Sequence, residues 1–447
     1  MKRRNLLRLA ALAPAAGLLA GLSGQGSAAS DDFRVLVVVY LNGGNDGNNV
    51  LVPLDGMYGD YQFARQNLAI PKASLHPLPG TAAGHSFGIH PAMQPLLDMY
   101  GQQRLAFISN VGPLIRPATA RQVLDGAVEV PPFLLSHSDQ QAIVQGWTVS
   151  EDMSGWAGRS LELLPGELHN RAAAVTLSTD RTLVLGRSSP VTFLNPGGSQ
   201  YWGIGDLSNP AGTGTQALVR MARWQFANEY EAEFARTYGL AIDDSIFFTQ
   251  AFANAITPAG NFVDNEHLNH SLRGIASVLP YFKSVGLRRQ VILLNWGGFD
   301  THANQRGSGE NTQDAQLDVL AKALRAFDDS NRASGMDANV VTLVMTEFGR
   351  TVRPGSGGGS EHAWGNHWWA FGGPVAGGTV VGAFPSPVLG GSDDGDPGRN
   401  GRFVPTTSAD QVGASLMQWM GLPPSQFHGA FPHLANFSQK TIPLIRA

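Results

Sequence analysis

Cysteine is absent from all 447 positions of this chain. That excludes disulfides, thiolate zinc sites, iron–sulfur clusters and a cysteine nucleophile. Oxygen and imidazole nitrogen remain as the donors for any metal. Basic side chains are not in excess: 31 Lys and Arg stand against 35 Asp and Glu, for a net charge of −4. The chain thus lacks the positive footprint of a nucleic-acid binder. Past the amino-terminal segment, no apolar run reaches the roughly 18 residues of a membrane-spanning helix. What is present is globular composition, 43% hydrophobic and 15% charged, with 12 His and 54 Gly. Such a glycine load implies many turns and close backbone approaches.

The first residues read as an export address. Lys2, Arg3, Arg4 and Arg8 precede an apolar Ala/Leu/Gly stretch that ends in Ser27-Ala28-Ala29. This is the order of charged region, hydrophobic region and small-residue cleavage site. The Arg3-Arg4 pair followed by Leu6-Leu7 looks like a twin-arginine signal. Residues 1–29 are therefore expected to engage the twin-arginine translocase and to be removed, giving a periplasmic or secreted protein without a stable membrane span. Losing four basic and no acidic residues takes the net charge from −4 to −8. Residues 30–447 are expected to form one domain, since no linker divides them.

The mature chain alternates apolar runs with helical patterns. Arg34–Leu41 is a continuous β-branched run, expected as a central strand buried on both faces. Leu105–Ser109, Ala173–Ser178, Gln290–Trp296 and Asn339–Met345 are further expected strands. Pro91–Tyr100, Ala217–Tyr238 and Asp314–Asp329 are expected helices, as is the stretch from Ser136 to Gln145. Asn195–Thr215 and Gly355–Ser360 read as loops, and Gly390–Gly401 as a surface insertion. This alternation argues for an α/β fold, a mainly parallel central sheet with helices on both faces.

Acidic and histidine residues gather just past the carboxyl ends of these strands, where open parallel sheets bind ligands. Asp46 follows the first run. Asp300 and His302 follow Gln290–Trp296. Glu347 follows Asn339–Met345, with Glu361, His362 and His367 in the next segment. Carboxylates and imidazoles without thiolate suit one or two divalent ions such as Zn, Mn, Mg or Ca. Blander roles exist for each residue. Asp46 between glycines can shape an Asx-turn, and Glu347 can pair with Arg350. His362 and His367 lie among Trp364, Trp368 and Trp369, which read as a packed aromatic lid. Ser136 stands at a helix start, either as an ordinary N-cap or as a hydroxyl nucleophile beside the favourable end of the dipole.

Several strings together resemble a known family. They are Leu41-Asn42-Gly43-Gly44-Asn45-Asp46-Gly47, Phe87-Gly88-Ile89-His90-Pro91, Ser136-His137-Ser138-Asp139-Gln140 and Gly155-Trp156-Ala157-Gly158-Arg159. Gly297-Gly298-Phe299-Asp300-Thr301-His302, Thr346-Glu347-Phe348-Gly349-Arg350 and Glu361-His362-Ala363-Trp364 continue the match. The chain is similar to a large bacterial family of twin-arginine-exported proteins of unknown function, grouped with the alkaline phosphatase and sulfatase superfamily. The resemblance implies an alkaline-phosphatase-like three-layer sandwich. It implies Asp46, Asp300, His302, Glu347 and His362 as metal ligands, Ser136 as nucleophile, and His137 or Arg159 orienting substrate. Three departures reduce the implied ligand set. Phe348 stands where the superfamily often has His, one residue separates Asp300 from His302 rather than three, and Glu361 replaces Asp. A sulfatase formylglycine motif is not matched either.

Two functions follow as expectations. The first is metal-dependent hydrolysis of phosphate or related anionic esters, on a small molecule or a polymer. The second is a non-catalytic envelope protein whose crevice, with its Trp cluster, binds glycan or another polymer.

Overall fold

The computed structural model describes residues 32–146, 152–198, 212–263 and 267–446. The signal segment 1–29 lies outside them. The main sheet is built from β1 (Arg34–Leu41), β2 (Leu105–Gly112), β3 (Ala174–Thr176), β4 (Thr192–Phe193), β5 (Arg289–Trp296), β6 (Val340–Met345), β7 (Asn366–Phe371), β8 (Thr379–Val381) and β9 (Thr407–Ser408). They lie in the order β8-β2-β7-β6-β1-β5-β3-β4, with β9 beside β2. β1 pairs in parallel with both β5 and β6, while β7 runs antiparallel between β6 and β2. The architecture is the expected α/β type, a mainly parallel sheet between helical layers.

β1 shows why its run is apolar throughout. Val35, Val37, Val39 and Leu41 join one core, and Leu36, Val38 and Tyr40 the other. Alternate side chains leave a strand on opposite faces, so burial on both sides leaves no position for a polar residue. The first core is covered by α4 (His267–Ser284) and α5 (Gln313–Ala333). The second is covered by α2 (Trp156–Glu162) and α6 (Ala409–Trp419). A short helix, α1 (His137–Val144), and a longer one, α3 (Glu229–Ala253), complete the elements used below. Among the described residues no helix is long and apolar enough to cross a membrane.

Three local expectations change. The Ala217–Tyr238 helix is two helices, Thr213–Met221 and α3, because the Asn228 side chain accepts from Tyr230 N–H and Glu231 N–H and starts a new one. Pro91–Tyr100 begins as a 3₁₀ segment, Pro91–Leu96, and becomes α-helical only at Leu97–Gly101; Pro95 cannot donate within the first part. Gly390–Gly401 is no loose insertion. It winds around the buried Asp394 carboxylate, which accepts from the backbone N–H of Gly390, Asp396, Gly401 and Arg402 at 2.9–3.1 Å. Arg402 then donates to the His362 carbonyl at 2.8 Å, so this turn braces a site residue.

Candidate metal centre

Four chain segments meet beyond the carboxyl ends of β1, β5 and β6. Gly43, two residues past β1, has a φ of +112°, and a Cβ there would stand 2.4 Å from the Asp300 backbone nitrogen. Only glycine lets the Gly297–His302 loop fold down against β1. A hairpin of Arg350–Pro354 and Ser360–His362 supplies His362, with Arg350 directly opposite it. The fourth segment enters α1 through Phe133 and Leu135, both at positive φ, and presents His137 as the first helical residue.

Asp300 is the centre of the arrangement. Its Oδ1 lies 3.0 Å from His302 Nε2 and 3.5 Å from His362 Nε2, and its Oδ2 3.4 Å from His137 Nε2. The Nε2 atoms of His302 and His362 are 2.9 Å apart. His137, Asp300 and His362 each offer one donor atom, all within 4.8 Å of one another. Each imidazole is turned by its other nitrogen. His137 Nδ1 donates to Glu347 Oε1 at 3.0 Å, His302 Nδ1 to Glu361 Oε2 at 2.7 Å, and His362 Nδ1 to the Leu135 carbonyl at 2.7 Å. Carboxylates and carbonyls only accept, so Nδ1 carries the proton and each Nε2 keeps a lone pair facing inward.

That geometry tests for a metal without any ion being present. Two nitrogen lone pairs facing each other at 2.9 Å repel unless a proton or a cation lies between them. The buried His137 Nε2 has no hydrogen-bond partner among the described residues. Zinc–nitrogen bonds of about 2.0–2.1 Å imply donor–donor edges of about 3.3 Å in a tetrahedron; the separations around Asp300 bracket that value. An imidazole whose far nitrogen is held by a carboxylate or carbonyl is the ordinary outer arrangement of metal-bound histidine. The residues present fit a divalent ion.

The charges are set by neighbours. Burial pushes the Asp300 carboxyl up, but hydrogen bonding and charge from Arg350, with His137 and His302, outweigh it and hold the carboxyl below its usual value. Arg350 reaches Asp300 Oδ1 at 2.6 Å while donating to the carbonyls of Gly43, Gly44, Phe299 and Ser360. The Glu347 hydrogen bond raises His137, against desolvation. Desolvation lowers His362.

The expected site residues separate into two groups. Asp300, His302, His362 and His137 converge. The others do other work. Glu347 is buried behind His137, accepting also from Gly43 N–H and the Thr346 hydroxyl; it orients the His137 ring, and Arg350 pairs with Asp300 instead of with it. Asp46 is buried against Arg65 and accepts from Gln305 at 2.6 Å and from Asn48 N–H, so its carboxylate is consumed by the scaffold. Arg159 is buried and donates to the carbonyls of Gly146, Ser154 and Ala430, which leaves it structural. Ser136 makes no side-chain cap to α1; its hydroxyl donates to Asp139 Oδ2. Trp364, Trp368 and Trp369 are all core residues, so they form neither a lid nor a platform for glycan. Glu361 and the Leu135 carbonyl were missed as orienting groups, and a search for a second acceptor near each histidine motif would have singled out Glu361.

His367 is also interior. Its Nδ1 accepts from Asn110 N–H at 3.2 Å, its ring stacks on Phe384, and desolvation lowers its pKa to about 4. A histidine depressed in the fold binds more protons when unfolded, so stability present above about pH 6.5 declines as pH falls toward 4. Comparing His367→Asn with the parent in urea unfolding at neutral and mildly acid pH should show the parent losing up to about 3 kcal/mol more on acidification.

No curated protein matches the sequence. Solved structures with detectable likeness include the lipoteichoic acid synthase LtaP from Listeria monocytogenes, at 9% identity and a TM-score of 0.36, covering 91% of this chain and 76% of that one. Ps i-CgsB follows at 12% identity and a TM-score of 0.34, covering 92% and 77%. The PsFucS1 sulfatase from Pseudoalteromonas sp. has 11% identity and a TM-score of 0.29, covering 86% and 71%. The stretch that carries Asp300, His302, Glu347, Glu361 and His362, residues 270–398, matches a family described as a protein of unknown function, DUF1501.

Proposed function

We propose that this chain is an exported hydrolase of phosphate or related anionic esters, working with one divalent ion held by His137, Asp300, His302 and His362. The observation that carries it is the convergence of three inward Nε2 atoms on one carboxylate, each ring fixed from behind. Three imidazoles and a carboxylate suit zinc better than magnesium or calcium. Bound there, the ion supplies a Lewis acid against the negative charge that develops on an ester oxygen. Asp300 and His302 remain 50% and 41% exposed, so a substrate oxygen can reach the donor set from solvent.

The chain's own groups favour an anion. The first turn of α1 has no side-chain cap, so its free N–H groups and the positive end of the helix face an incoming phosphate. In this reading Ser136, one residue before His137, attacks phosphorus while Asp139 Oδ2, which accepts its hydroxyl hydrogen bond, takes the proton. The P–O bond to the leaving alcohol breaks as that alkoxide is protonated, and water then cleaves the phosphoseryl ester. Arg350 offsets part of the Asp300 charge. Hydrolysis of an aryl phosphate and a phosphodiester by zinc-loaded protein tests this reading. Turnover should vanish with chelator and return with zinc, and Asp139→Asn should lower kcat by about 10²–10⁴-fold. Zinc-loaded protein that hydrolyses no phosphate, phosphodiester or sulfate ester overturns it, and so does full activity in Ser136→Ala.

A further inference from the structure

A second concavity lies at the other end of α1, past Ile143 and Gly146. It encloses about 400 Å³, within the range of small-molecule sites, about 300–1,000 Å³. Its nearest residue on α1, Ile143, lies six residues beyond His137, about 9 Å at 1.5 Å per residue, and no metal-centre residue lines it, so it is distinct from the metal centre. Its wall is hydrocarbon: Pro131, Pro132 and Pro432 with Ile143.

Two acidic residues line this apolar space, Asp410 and Glu129, together with His433. Asp410 occupies the first turn of α6, where its backbone N–H donates to Ser408 Oγ at 3.2 Å. Its carboxylate has no hydrogen-bond partner among the described residues. Arg159 is the cation whose charge acts on it, but that guanidinium is held by the backbone carbonyls named above. Burial, with Arg159 opposing, raises the Asp410 carboxyl to about 7. A half-buried carboxyl without a partner costs stability. This one is therefore placed where a ligand can supply what the fold does not.

We propose that the cleft binds a small organic ammonium, its nitrogen paired with Asp410 and its hydrocarbon body against the proline wall. The charge pattern selects the class. An anion would meet two carboxyls, and a neutral alcohol would forgo the charge-assisted hydrogen bond that an ammonium makes. A metal ion would leave the hydrocarbon wall unused. Glu129, exposed at the rim, adds attraction at long range and less on contact.

Calorimetric titration of the full chain, stripped of metal by chelator, tests this apart from the hydrolase reading. Benzylamine is the probe, with benzyl alcohol and benzoate as matched neutral and anionic controls. Benzylamine should bind at least tenfold more tightly than benzyl alcohol, and benzoate should give no heat. Asp410→Asn should erase the difference between amine and alcohol, while alcohol binding itself persists and shows that the cleft is still formed. Glu129→Gln should weaken the amine only two- to threefold. Equal binding of amine and alcohol, amine binding that survives Asp410→Asn, or no binding of the amine at millimolar concentration each overturns the proposal. Asp300→Ala should leave the amine titration unchanged, so loss of the metal site and loss of this cleft are read separately.

Discussion

Zinc bound by the parent protein should be lost almost entirely from His302→Ala and from His362→Ala, measured as metal content after dialysis against a weak chelator. Each substitution removes one of the Nε2 donors that stand 2.9 Å apart and relieves the repulsion that an ion would otherwise resolve. The outer partners set the scale. Glu361→Gln keeps the His302 contact but weakens its polarity, and such changes typically cost about 10–100-fold in metal affinity. Loss of a ligand should exceed that, while Glu347→Gln should fall in the same range as Glu361→Gln. If His302→Ala and Glu361→Gln lose metal equally, His302 is not a ligand. The folded state should survive all four, because none of these side chains belongs to either hydrophobic core and the buried Glu347 keeps its size and an acceptor oxygen as Gln.

Arg65→Met should be the most destabilising single change outside the cores. The Arg65 and Asp46 side chains are completely buried against each other, and Arg65 also donates to the carbonyls of Thr351 and Val352. Removing the cation leaves a buried carboxylate without its countercharge, typically a loss of about 3–5 kcal/mol. Combining Arg65→Met with Asp46→Asn should recover much of it, since the uncompensated charge goes too. Chemical denaturation of the two variants decides the point; a double variant no more stable than Arg65→Met would show that the carbonyl contacts, not the ion pair, carry the cost.

These two outcomes also mark how far the sequence was legible. Periodicity located β1 to the residue, because a strand buried on both faces must be apolar throughout. Position past the strand ends singled out Asp300, His302 and His362, three of the four side chains that the fold brings together. Three kinds of information were not local. Asp46 looked like a ligand until Arg65, 19 residues along and on another element, took its carboxylate. Glu347 and Asp300 both end strands, and only the fold shows that Gly43 N–H and Thr346 turn Glu347 inward beneath His137. The three tryptophans read as an aromatic lid because indole spacing does not reveal that β7, which carries Trp368 and Trp369, is interior, flanked by β6 and β2, or that Trp364 packs in a separate buried cluster. His137, read as an orienting group, stands with Asp300 and His362 because the turn through Leu135 aims it there.

The donors come from residues 137, 300, 302 and 362, segments joined only after β1, β5 and β6 have associated in parallel. Such pairings close long loops and form slowly, so no competent site exists in a partly folded chain. A metal held by these donors would then bind the native state and not the unfolded one, and would add stability in proportion to the logarithm of its free concentration. The measured melting temperature of this protein should therefore report on the zinc in the buffer as much as on the sequence. Under the proposed export of the folded chain, the compartment in which folding finishes would be the one that chooses the ion.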